Sequence, residues 1–138
     1  MLFIAGTVPS EEFPLIEGIV TLEGEQLKIG TLMIDVNRGT PALLAAAVKA
    51  ADSLGRPAPF VCLVGDTGTG KGSHRLYAHL TETLPDRSFS TITFHYLQPI
   101  VHRHGKLLTA IRTMTPQPRL IADAGFMYMA KMSGEESS

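Results

Sequence analysis

The chain has 138 residues, 44% apolar and 18% charged, with a net charge of −1. That length suits one domain with a buried core, and the composition excludes a disordered chain. The near-neutral balance, with no Lys/Arg run interleaved with aromatics, leaves no electrostatic footprint for nucleic acid.

In chain order, Met1 to Gly6 is apolar but lacks a basic start, so it reads as a first strand over Leu2–Val8, closed by Pro9, and not as a leader. The acidic, proline-bearing stretch from Ser10 to Pro14 reads as a loop. Gly18–Leu22 and Gln26–Ile29 alternate around Glu23-Gly24-Glu25, the pattern of a hairpin that Thr31–Val36 can extend. The first third therefore reads as antiparallel. Thr40 is placed to cap a helix with Pro41 at its first position, running from Ala42 to Leu54 and ended by Gly55. Its apolar run, Ala42–Ala51, is broken by Lys49 and is too short to span a bilayer. Strand 59–64 follows, then a helix over 73–84 stopped by Pro85. Phe89–Leu97 alternates as a strand, Ile100–Met114 forms a helix, Arg119–Asp123 a short buried strand, and Phe126–Met132 a last helix.

This rhythm predicts an α/β fold: a three-layer sandwich with a mainly parallel sheet flanked by helices, plus an N-terminal antiparallel hairpin. A single domain over residues 1–134 is expected, with a frayed tail at 135–138. No strand follows the last helix, so one sheet edge is left unsealed. Such edges invite pairing, which points to a homo-oligomer or to the front part of a longer fold. One cysteine, Cys62, excludes an internal disulfide framework and fits a reducing cytoplasm. Inside an apolar run it reads as a small core residue.

The strongest chemical signal is Phe60–Val64 followed by Gly65-Asp66-Thr67-Gly68-Thr69-Gly70-Lys71-Gly72-Ser73. A strand, glycine-rich backbone and then a helix N-terminus present several N–H groups to an anion. Gly65 to Lys71 satisfies G-x-x-x-x-G-K, but Gly72 stands where the hydroxyl that holds Mg²⁺ belongs. Ser73 is one place, about 100° of helix, further on. Three readings stay open: a working P-loop built from residues 65–73, a tight turn with Lys71 in solvent, or an anion site of a different fold.

A second candidate is Asn37-Arg38-Gly39-Thr40, joining a strand to a helix where open α/β sheets bind ligands. Arg38 can pair with phosphate or carboxylate, and Asn37 and Thr40 can hydrogen-bond a substrate. The alternative is a capped turn with a solvated arginine. Asp123 ends a strand and either holds Mg²⁺ or caps the next helix. Asp66 has the same two options. His95 can line the site. His102 and His104 lie two apart and point to different helix faces, which disfavours a zinc site.

From residue 37 onward the chain resembles the front half of ribokinase-like proteins, in the sugar kinase and NAD(P)H-hydrate dehydratase branch. Asn37-Arg38-Gly39-Thr40-Pro41 with the alanine-rich Ala42–Ala47 is similar to that branch's glycine turn and helix. Leu120-Ile121-Ala122-Asp123-Ala124-Gly125 is similar to its strand ending in Asp-Ala-Asp, with Gly125 replacing the second acid. The resemblance implies ATP or ADP as ligand, a small-molecule substrate at the strand ends, and kinase or hydrate-dehydratase chemistry. The family's late Gly-x-Gly-Asp is not matched here. Lys71-Gly72 stands where its catalytic Asp would fall, so no catalytic residue is assigned. A P-loop nucleotide site and a non-catalytic binding or assembly domain are the alternatives.

Overall fold

The computed structural model describes residues 1–36, 39–98 and 100–122. Within them the strands are β1 (Leu2–Val8), β2 (Ile16–Glu23), β3 (Gln26–Ile29), β4 (Leu32–Asp35), β5 (Phe60–Gly65), β6 (Thr91–His95) and β7 (Arg119–Ala122). The helices are α1 (Thr40–Ser53), α2 (Lys71–Thr83) and α3 (Val101–Arg112), with a short 3₁₀ turn at Leu84–Asp86. The seven strands form one sheet in the order β4-β3-β2-β5-β1-β6-β7.

Burial explains that order. β1 and β5 are apolar almost throughout and buried along nearly their whole length, as strands covered on both faces must be. β6 alternates buried and half-buried residues, and β7 is largely exposed. β1 runs parallel to both β5 and β6, and β6 parallel to β7. β2 joins β5 antiparallel and continues as an antiparallel β2-β3-β4 meander.

Two expectations change here. The first third is not antiparallel as a unit, because β1 leaves the meander and takes the sheet's centre. The sheet is mixed and not mainly parallel, with three parallel and three antiparallel pairings. The hairpin is correspondingly a three-stranded meander.

Alternate residues of the central strands serve two cores, since neighbours along a strand point to opposite faces. Phe3, Ala5, Cys62, Val64, Ile92 and Phe94 pack with Leu76, Tyr77 and Leu80 of α2 and Leu107 and Ile111 of α3. Ile4, Val61 and Leu63 pack with Val20, Leu27 and Ile29 and with Leu44 and Ala45 of α1. The fully buried members of the second cluster are all aliphatic. The first holds the aromatic trio Phe3, Phe60 and Phe89, whose ring centroids lie 4.7–5.8 Å apart.

The α1 boundary moves by one residue. Gly39, at φ 72°, is the N-cap and Thr40 is already helical, because the Thr40 hydroxyl is used across the sheet and not on its own helix. The helix closes at Leu54, and Gly55 (φ 66°) donates to the Asp52 carbonyl as the left-handed exit residue. Helix 126–132 and the tail lie outside the described residues. No helix among the described residues is long and apolar enough to cross a membrane.

Candidate functional site

β1, β5, β6 and β7 are mutually parallel, so their carboxyl ends share one edge of the sheet. α2 and α3 begin just beyond it. The glycine loop after β5 is the most organised feature there, and its organiser is Asp66.

Asp66 is 8% exposed. Its Oδ1 accepts from the amides of Gly68 (2.9 Å) and Gly70 (3.1 Å), and its Oδ2 from the Ser73 amide (2.9 Å) and hydroxyl (3.0 Å). Burial pushes its carboxyl upward, but the Ser73, Gly70 and Gly68 amides outweigh that and hold it below the ordinary carboxylate range. Positive φ at Gly68 and Gly70, 100° and 88°, lets the chain turn its amides inward at no steric cost. The loop therefore encloses an anion, and that anion is its own side chain.

This corrects part of the expected phosphate cradle. The amides of Gly68, Gly70 and Ser73 are spent on Asp66. Ser73 is fully buried, and its hydroxyl also accepts from the Gln98 amide at 2.9 Å, so it is a strut between the two loops. Gly72 belongs to packing: a methyl there would overlap the Gly65 carbonyl oxygen, which accounts for the missing hydroxyl of the G-K-[ST] pattern. Gly65 is closed off by the Ser10 and Phe13 carbonyls, and Thr67 donates to Glu11 at 3.0 Å. With both oxygens engaged twice, Asp66 does not fit the role of a Mg²⁺ ligand.

The rest of the motif faces outward. Gly68, Thr69, Gly70 and Lys71 line a cleft of about 580 Å³ together with His74, Arg75, Gln98 and Ile100. Arg103 of α3 reaches His74 from the far wall, donating to Nε2 at 2.8 Å. α3 starts at this wall with Ile100 as N-cap and no side chain capping its first turn. The volume is within the roughly 300–1,000 Å³ of small-molecule sites. Lys71, His74 and Arg75 are exposed. The Gln98 backbone is pinned by Ser73 on one side and by the Tyr77 hydroxyl, which donates to its carbonyl at 3.1 Å, on the other.

Beside the cleft lies a second polar cluster. The Thr40 hydroxyl sits 2.8 Å from the Thr7 carbonyl and 2.9 Å from His95 Nδ1, and Thr7 Oγ1 donates to the Tyr96 carbonyl at 2.6 Å. Gly39 lies against the Tyr96 ring, 3.3 Å from where a Cβ would stand, and Tyr96 carries a positive φ of 57°. The structure thus brings together Gly39, Thr40 and His95. Asn37, Arg38 and Asp123 lie outside the described residues.

The sequence reading missed Thr7, His74, Arg75, Gln98 and Arg103. His74 and Arg75 follow Lys71 by three and four residues at a helix start, where basic side chains run against the helix dipole. That local conflict was the available signal. His102 is exposed and His104 buried on α3, so they share no face.

No family model matches the chain, and no solved structure matches it. It is 32% identical over 89 residues to an uncharacterized protein of Methanocaldococcus jannaschii, an alignment covering 64% of this chain and 34% of that protein. The chain therefore spans about a third of the length of the curated relative it matches.

Proposed function

We propose that the chain binds a phosphate-bearing small molecule, ATP or ADP, in the cleft between α2 and α3. In this reading it is a ribokinase-like protein related to sugar kinases or hydrate dehydratases, with its sheet and helices in three layers. It would supply the front part of a longer fold, in keeping with the length of the relative it matches.

The observation that carries the proposal is the cleft wall: Lys71, His74 and Arg75 beside exposed glycine backbone, where two helices begin. The N-terminus of α3, with no side chain capping it, adds partial positive charge, whereas that of α2 already serves Asp66. A carboxylate in such a wall would repel phosphate, but Asp66 is turned inward and its charge is met by the loop amides. Lys71 and Arg75 would pair with phosphate oxygens, Arg as a planar fork and Lys as a point charge. Gly39 and His95, beside the carboxyl end of β1, would face the acceptor substrate, with the buried Thr40 hydroxyl holding His95 in place. Mg²⁺, if used, would fall to Asp123. The reading covers ligand binding and not turnover, because no catalytic base is assigned.

A P-loop site is the weaker reading, since three of the amides such a site needs serve Asp66. The test is a thermal-shift and calorimetric series with ATP and ADP, each with and without Mg²⁺. At a hundredfold excess over Kd a bound nucleotide stabilises by about 2.7 kcal/mol. Lys71→Ala and Arg75→Ala are each expected to cost about tenfold in affinity, near 1.4 kcal/mol. Arg38→Ala or Asp123→Ala should cost more than Lys71→Ala; the reverse order returns the P-loop reading. No shift with any nucleotide overturns the proposal and leaves a binding or assembly module.

A further inference from the structure

Away from the cleft, a mixed set of ligand-type side chains meets on the α2 side of the sheet. Glu17 of β2 lies directly opposite Cys62 of β5 in the antiparallel register, which brings two side chains to one face about 5 Å apart at Cβ. His79, about 12 Å along α2 from Lys71, closes over the pair. The Cys62 sulfur, a Glu17 oxygen and a His79 ring nitrogen all lie within 4.8 Å of one another. Nε2 of His79 is 3.1 Å from Glu17 Oε2.

The geometry points to a zinc-type divalent cation held by Cys62 Sγ, His79 Nε2 and Glu17 Oε2, with its fourth position open to solvent. Thiolate, imidazole and carboxylate together suit Zn²⁺ better than Mg²⁺ or Ca²⁺. Donors on a tetrahedral zinc stand roughly 3.5 Å apart, so the His79–Glu17 pair, at 3.1 Å, has to open slightly while the sulfur draws in from within 4.8 Å. Cys62 is fully buried, whereas the Glu17 and His79 side chains are 25% and 27% exposed. The ion would enter from their side.

Arg87 is the competing cation. It holds Glu17 through two bonds, Nη1 to Oε2 at 2.8 Å and Nη2 to Oε1 at 2.6 Å. A carboxylate has about four lone-pair positions, so Oε2 can keep the Arg87 bond and exchange the His79 N–H for a metal. Arg87 then becomes the outer partner that orients a ligating carboxylate. Thiolate and carboxylate balance the dication, which leaves the Arg87 charge at the half-buried rim, over the Phe60 ring. Burial, with the Glu17 charge adding to it, pushes the Cys62 thiol up to about 12, so binding has to displace that proton to solvent, a cost that the metal–thiolate bond must offset.

The test uses the full chain stripped of metal by chelation. Zn²⁺ alone is titrated calorimetrically, and Co²⁺ is followed by absorption. One Zn²⁺ per chain is expected, and Co²⁺ should show a thiolate charge-transfer band in the near ultraviolet. His79→Ala, at a partly exposed position, and Cys62→Ser should each weaken binding beyond the roughly hundredfold that loss of an outer partner costs. Cys62→Ser should also erase the cobalt band, while His102→Ala on exposed α3 surface changes neither. Absence of stoichiometric binding, a cobalt complex without the thiolate band, or full affinity in His79→Ala each overturns the inference. If Cys62→Ser fails to fold, the cobalt spectrum and His79→Ala decide it.

Discussion

Two carboxylates in this molecule are held below their ordinary range by opposite means. Asp66 draws on its own loop: all four of its hydrogen bonds come from Gly68, Gly70 and Ser73, within seven residues. Glu17 draws on His79 and Arg87, 62 and 70 residues away. The first network fixes the local shape of a turn whether or not a ligand is present. The second ties β2 to α2 and to the segment before β6, through side chains that can exchange partners. A glycine-rich loop at a helix start is therefore not by itself an empty anion site.

The largest expected effect is at Asp66. Asp66→Ala leaves three amides and the Ser73 hydroxyl without their acceptor, which should cost roughly 3 kcal/mol in urea unfolding. Asp66→Asn keeps one acceptor oxygen and should cost visibly less. If Asp66→Ala proves cheaper than Glu17→Ala, the comparison fails. Gly72→Ala comes next. Its methyl meets the Gly65 carbonyl, a backbone group that cannot rotate away, and should cost about 2–3 kcal/mol.

These two residues mark the limit of sequence legibility. The apolar run at Phe60–Val64, the glycines after it and the periodicity of α2 and α3 are local signals, and they read correctly to within a few residues. The pattern G-x-x-x-x-G-K treats position 66 as a free slot. Yet Asp-x-Gly is itself a signal for a carboxylate bonding the amide two residues on, and Gly72 in place of a hydroxyl was the sign of close packing. Thr40 misled because capping is a local rule, whereas its hydroxyl is held by Thr7 and His95 from other strands. The central position of β1 and the Glu17–Cys62 register are long-range pairings that no window of sequence contains. For Cys62 only burial was legible.

The Glu17 side of the comparison is sharpened by Glu17→Gln. Gln keeps one acceptor oxygen for Arg87 and puts an NH2 donor where the other stood, so one of the two bonds is lost, but the pair is a quarter exposed, so water recovers part of the loss. A cost of about 1 kcal/mol is expected in urea unfolding, clearly smaller than for Asp66→Ala.

Acid separates the two sites further. Arg87 holds Glu17 below its ordinary value against burial, with His79 adding to it, and the loop amides hold Asp66 below its own. A carboxylate lowered in the folded state contributes stability above its unfolded pKa, about 4, and loses it as pH falls through the folded value. Unfolding free energy should therefore drop below about pH 4, and Asp66→Asn and Glu17→Gln should each flatten that limb. A limb unchanged in either variant would mean that its carboxylate is not held down by the contacts described.

The smallest stability effect belongs to the residue nearest the strongest motif. Lys71 is exposed and makes no ion pair among those of the described residues, so Lys71→Ala should change unfolding free energy by less than about 0.5 kcal/mol. The same substitution should lower nucleotide affinity in calorimetry, while Asp66→Ala should lower stability first. Inward contacts of this loop hold the fold, and outward ones meet the ligand. A Lys71→Ala protein that melts early but binds nucleotide normally would reverse that division.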